Sequence, residues 1–193
     1  MKSFINLVSL KDTIMENNVL ELFFNESSKQ WHFEEILKQS KLSRSKVNNW
    51  LKRFQKENLI KKIKEVNKMP YYIADFESPN YKNKKKLFAM EKFYNSGFLN
   101  HLLTLKGAKT IILFGSFSRS DWHKDSDIDL FIYGNADDLN LAEYELKLKK
   151  EIQLFNYNSK KELNRLGSGL IKNIIKGNII KGDLDFIEVN ANA

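Results

Sequence analysis

Thr110-Ile111-Ile112-Leu113-Phe114-Gly115-Ser116 and, after the spacer Phe117 to Ser126, Asp127-Ile128-Asp129-Leu130-Phe131-Ile132 decide how this chain is read. The first stretch is a short continuous apolar run, the pattern of a buried strand, and it stops at Gly-Ser. The second opens on two aspartates one residue apart. On a strand of period two, Asp127 and Asp129 share a face with α-carbons about 6.6 Å apart, while Ile128 and Leu130 point into the core. Two carboxylates aimed the same way repel, so their placement asks for a cation. Their oxygen donors suit Mg²⁺ or Mn²⁺, and such a pair can hold two ions about 3.5 to 4 Å apart for an in-line phosphoryl displacement. Gly115 lets backbone approach a ligand closely, and the Ser116 hydroxyl with nearby amides can hold phosphate oxygens.

Joined at this spacing, these residues resemble the nucleotidyltransferase superfamily that shares the DNA polymerase beta type palm. Its signature is hydrophobic-Gly-Ser, a spacer, then Asp-hydrophobic-Asp-hydrophobic, and Ser126-Asp127-Ile128-Asp129-Leu130 is similar to its small, single-domain branch. The resemblance implies that Asp127 and Asp129 chelate the catalytic divalent metal. It further implies that Gly115, Ser116 and Ser126 contact the nucleotide and that Arg119 lies near the triphosphate. Ser120 departs from the Gly that usually follows that Arg. The superfamily's third carboxylate falls where this chain has Gln153, in the strand-like Glu151-Ile152-Gln153-Leu154-Phe155-Asn156-Tyr157. A glutamine amide takes up no proton at neutral pH and is no general base. Glu151, two residues earlier on the same strand face, is the candidate substitute. The other reading is a domain that binds nucleotide and metal while catalysing slowly or not at all. A second pair, Asp183 and Asp185, reads as a solvated chain end, and Ser159 to Ile175 as a helical segment interrupted at Gly167 and Gly169.

The rest of the chain differs from this half in charge. Of 193 residues, 32 are Lys or Arg and 24 are Asp or Glu, a net charge of +8. Residues 1 to 90 hold 18 of the basic and 10 of the acidic side chains, so the whole excess lies in the front half. Such asymmetry predicts two modules, one of which meets a polyanion. We expect a domain at 1–78, a linker about 75–83 around Pro70 and Pro79, and a second domain at 79–193, for an α+β fold whose second domain has a mixed sheet with flanking helices. The absence of cysteine excludes disulfides, thiolate catalysis, iron–sulfur clusters and cysteine-ligated zinc. No apolar run reaches the roughly 18 to 20 residues of a membrane span, and a soluble, cytoplasmic protein with no membrane partner is expected.

In the front half, apolar residues from Phe4 to Phe24 predict one or two helices. Trp31 to Gln39 predicts a short helix, and Ser43 caps a longer one through Glu57 whose buried stripe is Val47, Trp50, Leu51 and Phe54. Leu59 to Ile73 reads as two strands around a polar turn. This order resembles the winged helix-turn-helix family over about residues 1 to 75, which implies binding to duplex DNA. Residues 31 to 68 hold 11 basic and 4 acidic side chains, as phosphate neutralisation requires. Ser45, Lys46 and Asn49 are the candidates for base edges, and Arg44, Lys52, Arg53, Lys61, Lys62 and Lys64 for the phosphate backbone. Asn48 is given less weight, and Trp50 is read as core.

The whole pattern is similar to proteins described as nucleotidyltransferase-domain regulators. The leading expectation is a Mg²⁺-dependent enzyme that moves NMP from an NTP, with ATP the expected donor, onto a hydroxyl of a protein or nucleic acid. Two alternatives stand beside it: a DNA-binding transcriptional regulator with an inactive or nucleotide-sensing transferase domain, and the antitoxin of a toxin–antitoxin pair whose protein acceptor is the toxin.

Overall fold

The computed structural model describes residues 15–163 and 165–187. The apolar positions from Phe4 to Ile14 lie outside them. The chain falls into two compact units, Met1–Phe88 and Ala89–Ala193. The division lies inside a helix, Pro79–Asn95. The stretch 75–83 expected as a linker is a turn followed by the start of that helix, whose Tyr81 is buried.

The first unit begins with helix α1, residues 15–25. Its apolar side, Val19, Leu20, Phe23 and Phe24, is fully buried. Strand β1 (Trp31–His32) leads to helix α2 (Phe33–Ser40), and helix α3 (Arg44–Lys56) is followed by strands β2 (Ile60–Ile63) and β3 (Tyr71–Ala74). Trp31 and His32, expected to start a helix, instead pair antiparallel with Tyr72 and Tyr71. The helix then starts two residues later than expected, at Phe33, where the His32 amide donates to the Glu35 carboxylate (2.9 Å), a side chain reaching back over the first turn. The result is a three-stranded antiparallel sheet in the order β1-β3-β2.

Ser43 caps α3 as its sequence predicts, its hydroxyl accepting from the Lys46 amide. Val47, Leu51 and Phe54 are buried along one stripe, and Trp50, half-buried, stacks on Phe54 with centroids 6.2 Å apart. Helix α4 (Pro79–Asn95) closes this unit through Tyr81, whose hydroxyl donates to the Phe23 carbonyl (2.8 Å) and whose ring meets Phe24 edge-on at 5.4 Å.

The second unit is built on a four-stranded sheet. Helix α5 (Phe98–Thr104) precedes strand β4 (Ala108–Phe114), the one-turn helix α6 (Gly115–Arg119) and strand β5 (Ile128–Gly134). Helix α7 (Leu141–Leu148) crosses to strand β6 (Ile152–Tyr157), and helices α8 (Lys160–Leu163) and α9 (Ser168–Ile175) lead to strand β7 (Asn178–Lys181). The order is β6-β5-β4-β7. β4 is antiparallel to both β5 and β7, and β5 is parallel to β6. The sheet is therefore mixed, and the α7 crossover supplies the parallel pair. α7 starts after Asn140, whose side chain accepts from the Glu143 amide as N-cap, and Lys149 ends it in the left-handed region.

Strand alternation divides the sheet into two faces. Ile112, Phe114 and Phe131 pack with Leu163, Ile174 and Phe186. Ile128, Leu130 and Ile132, fully buried, point the other way. Asp183 and Asp185 are exposed, as expected of a solvated segment, but their backbone is anchored: the Thr110 hydroxyl donates to the Asp183 carbonyl (2.9 Å), and Phe186 stacks on Phe131 and Tyr133 with centroids 5.4 and 5.0 Å apart. Among the described residues no helix is long and apolar enough to cross a membrane.

Candidate functional site

The site forms where β4 ends and β5 begins. Phe114, the last residue of β4, pairs with Asp129 across the antiparallel ladder, so the turn at Gly115 is carried to the second aspartate. Gly115 has φ +66°, a backbone that side chains rarely adopt, and a β-carbon built on it would fall inside the Asp129 carboxylate. Glycine is thus required twice, for its dihedral and for the absence of a side chain.

Asp127 is exposed and Asp129 half-buried. Burial raises the Asp129 pKa first, the charge of Asp127 raises it further, and Arg119 opposes both. This repulsion between two hard oxygen donors, with bare backbone against one of them, fits a small divalent cation such as Mg²⁺. Asp127 and Asp129 are the residues that would hold it. Among the described residues, no group of three or more His, Asp or Glu is placed to hold a metal ion, so Glu151 does not complete a three-acid cluster.

The parallel β5–β6 ladder places Gln153 directly beside Asp129, and the Ile128 amide donates to the Glu151 carbonyl (2.9 Å). Registered neighbours in a sheet share a face, so Gln153 lies on the aspartate side. Gln153 and Glu151 are both exposed. Arg119 forks onto Asp121, Nε to Oδ2 at 2.9 Å and an outer nitrogen to Oδ1 at 3.4 Å. Ser120 takes φ +64°, which explains why a glycine would suit that position. Ser126 accepts from the His123 amide through its hydroxyl (2.9 Å) and folds the spacer back immediately before Asp127.

Sequence reasoning missed what fixes this spacer. The Lys150 ammonium, just ahead of β6, donates to the carbonyls of His123 (2.8 Å) and Lys124, tying the loop that delivers Asp127 to the strand that delivers Gln153. Trp122, buried in the same loop, stacks flat on Phe117 of α6 at 5.2 Å. A lysine at a helix end carries no signal for a partner 27 residues earlier.

In the first unit, the basic candidates sort by their ion pairs. Arg44 is held by both oxygens of Glu34 (2.8 and 3.0 Å), Arg53 by Glu57 (2.6 Å) with Glu16 at 3.5 Å, and Lys61 by Asp75 (2.8 Å). The Glu57 hydrogen bond, ahead of the other causes, raises the Arg53 pKa. Lys62 lies over the Tyr72 ring at 5.6 Å, and the Lys46 ammonium reaches the Met15 sulfur at 3.1 Å. Ser45, Asn48, Asn49, Lys52 and Lys56 are exposed, and their helical spacing puts them on the face of α3 away from Val47, Leu51 and Phe54. Lys64 is exposed in the hairpin turn. Asn48 therefore belongs with Ser45, Asn49 and Lys52.

Residues 96–181 match the family model described as a nucleotidyltransferase domain. That match spans every element from α5 through β7, and with them both aspartates and the Gly-Ser turn. It supports a nucleotidyl-transfer function in general terms, and the mixed sheet with its helices is compatible with that fold. No curated protein and no solved structure matches the chain.

Proposed function

We propose that this protein transfers a nucleoside monophosphate from an NTP, with ATP the expected donor, onto a hydroxyl of a protein or nucleic acid. The observation that supports the reading most directly is the apposition of Gly115 and Asp129, which sets the bare backbone of the Gly-Ser turn against the Asp129 carboxylate. Mg²⁺ or Mn²⁺ held by Asp127 and Asp129 would supply charge stabilisation for the phosphates. Gly115, Ser116, Ser126 and Arg119 line the side from which the triphosphate enters. The acceptor oxygen attacks the α-phosphorus, the bond from that phosphorus to the bridging oxygen breaks, and pyrophosphate leaves with the bonding electrons. The hydroxyl proton passes to the Glu151 carboxylate, since the Gln153 amide takes none.

Incubation with Mg²⁺, each labelled NTP and cell extract tests this. A macromolecule labelled by one NTP, with label lost in EDTA, is the expected result; no labelling with any NTP and either metal would remove the reading.

The first unit, in this proposal, is a winged helix-turn-helix that directs the enzyme to duplex DNA. The exposed polar face of α3 and the basic hairpin support it. The ion pairs sharpen what to expect. Lys52→Ala and Lys64→Ala each lower the slope of log affinity against log salt by about one unit. Arg44→Ala changes it by less than half as much, because Glu34 already neutralises that guanidinium. Equal slopes for Lys52→Ala and the parent in DNA titrations from low to moderate salt would exclude α3 as the docking face. The same face supports the second reading, a DNA-binding regulator whose transferase domain senses nucleotide. That reading predicts nucleotide-dependent DNA affinity with no labelled product. The antitoxin reading places a toxin as the protein acceptor in the labelling experiment.

A further inference from the structure

An edge strand leaves a row of backbone amides and carbonyls unpaired, and such edges usually carry a device that stops another strand from adding to them. Among the described residues the two sheets have four edges, and three of them are blunted. β1 has only two residues, and β2 carries Lys61 and Lys62. β7 has four residues, shifts register against β4 between Ile111 and Ile112, and ends in Lys181. β6 is the exception. Ile152 to Tyr157 is six residues without charge, proline or glycine, in unbroken register with β5.

The parallel ladder fixes which groups of β6 point outward. The Glu151 carbonyl accepts from the Ile128 amide, so the odd-numbered residues bond to β5 and the even-numbered ones face away. The outward Ile152 amide is taken by the Glu145 carboxylate (3.0 Å). Leu154 and Asn156 have no backbone partner on that side among the described residues. Both are half-buried, as are Phe155 and Tyr157, so an added strand would cover apolar side chains while it satisfied these backbone groups.

We propose that β6 is a self-association edge, met by the β6 of a second copy of this chain running antiparallel across a two-fold axis. The antiparallel copy offers carbonyls to the Leu154 and Asn156 amides, and with no charge in either strand nothing across the seam repels. Because the other three edges are blunted, the strand on this molecule fit to answer β6 is β6 itself, and a contact of like with like closes at two copies. A pairing of six-residue strands buries less than the roughly 1,200 Å² of a stable interface, so the dimer should be weak and concentration-dependent. The inference concerns assembly and stands apart from the reaction proposed above.

The test is sedimentation velocity of the full chain from low to high micromolar concentration, with amide hydrogen exchange read by NMR at both ends of the range. Monomer should give way to dimer, and the Leu154 and Asn156 amides should slow by about tenfold or more as the dimer fills, whereas those of Gln153, Phe155 and Tyr157 are slow throughout. Leu154→Pro removes an outward amide without touching the β5 ladder and should stay monomeric at the highest concentration. If that variant does not fold, the exchange pattern of the parent decides alone. A monomer at every concentration would overturn the proposal. Should its Leu154 and Asn156 amides be protected nonetheless, a segment of the same chain covers the edge; protection gained only on adding another protein would make the partner foreign. A dimer in which these two amides exchange as fast as in the monomer would place the contact elsewhere and overturn the proposal as well.

Discussion

Asp127→Asn and Asp129→Asn should each lower nucleotidyl transfer by about a thousandfold or more, because each removes half of the charge that would hold the metal. Neither should unfold the protein. Asparagine keeps the shape of aspartate, and at Asp129 it removes a charge that burial and Asp127 both disfavour. The sign follows from proton linkage. A carboxyl whose pKa is raised on folding costs no stability while it is protonated in both states, and the penalty builds as pH rises from the ordinary carboxylate value through the raised one. In EDTA, Asp129→Asn should therefore match or exceed the parent in thermal midpoint while transfer is lost. Two results would detach the aspartates from the chemistry: unchanged labelling in both variants, or a loss of labelling that simply follows a lowered midpoint.

Much of the second unit was legible because its signals are local. Strand β4 is a run of apolar residues that stops at Gly-Ser, and β5 begins at Ile128, between the two aspartates, so both strands follow from neighbours in the chain. What escaped depends on partners far away. Trp31 and His32 carry a helix-like context, but backbone pairing with Tyr72 and Tyr71, about 40 residues later, draws them into a strand. Asp183 to Phe186 reads as a polar end, and its anchors, the Thr110 hydroxyl and the rings of Phe131 and Tyr133, lie far off in the chain. Gln153 was placed by the order of the motif, yet its meaning came from the parallel register, which no single strand encodes.

Charge shows the same division. The count of lysines and arginines marked the front half as basic, but it did not distinguish Arg44, whose guanidinium is forked onto Glu34, from Lys52 on the open face of α3. Glu34 lies ten residues before Arg44, on the preceding helix, and only the turn between α2 and α3 brings them together. Basic composition thus overstates how many cations are available to phosphate, because several already face a carboxylate of the same unit.

Gly115→Ala should strongly damage the second unit. Two separate costs combine there. The left-handed backbone at φ +66° disfavours any side chain by about 1 to 2 kcal/mol, and the new β-carbon lands inside the Asp129 carboxylate, an overpacking that costs roughly another 1 to 3 kcal/mol. Together they amount to about 2 to 5 kcal/mol, which for a unit of this size lowers the midpoint by roughly 10 °C or more. Transfer should fall with it, since the clash displaces the Asp129 carboxylate that would hold the metal. A double-mutant cycle separates the two costs. Asp129→Ala removes the atoms that the new methyl strikes, so the Gly115→Ala penalty measured on that background should shrink to the dihedral part, a coupling of about 1 to 3 kcal/mol. Gly115→Ala costing the same with and without the carboxylate would mean that only the backbone conformation requires glycine. The close apposition of turn and strand would then carry no weight in the assembly of the site.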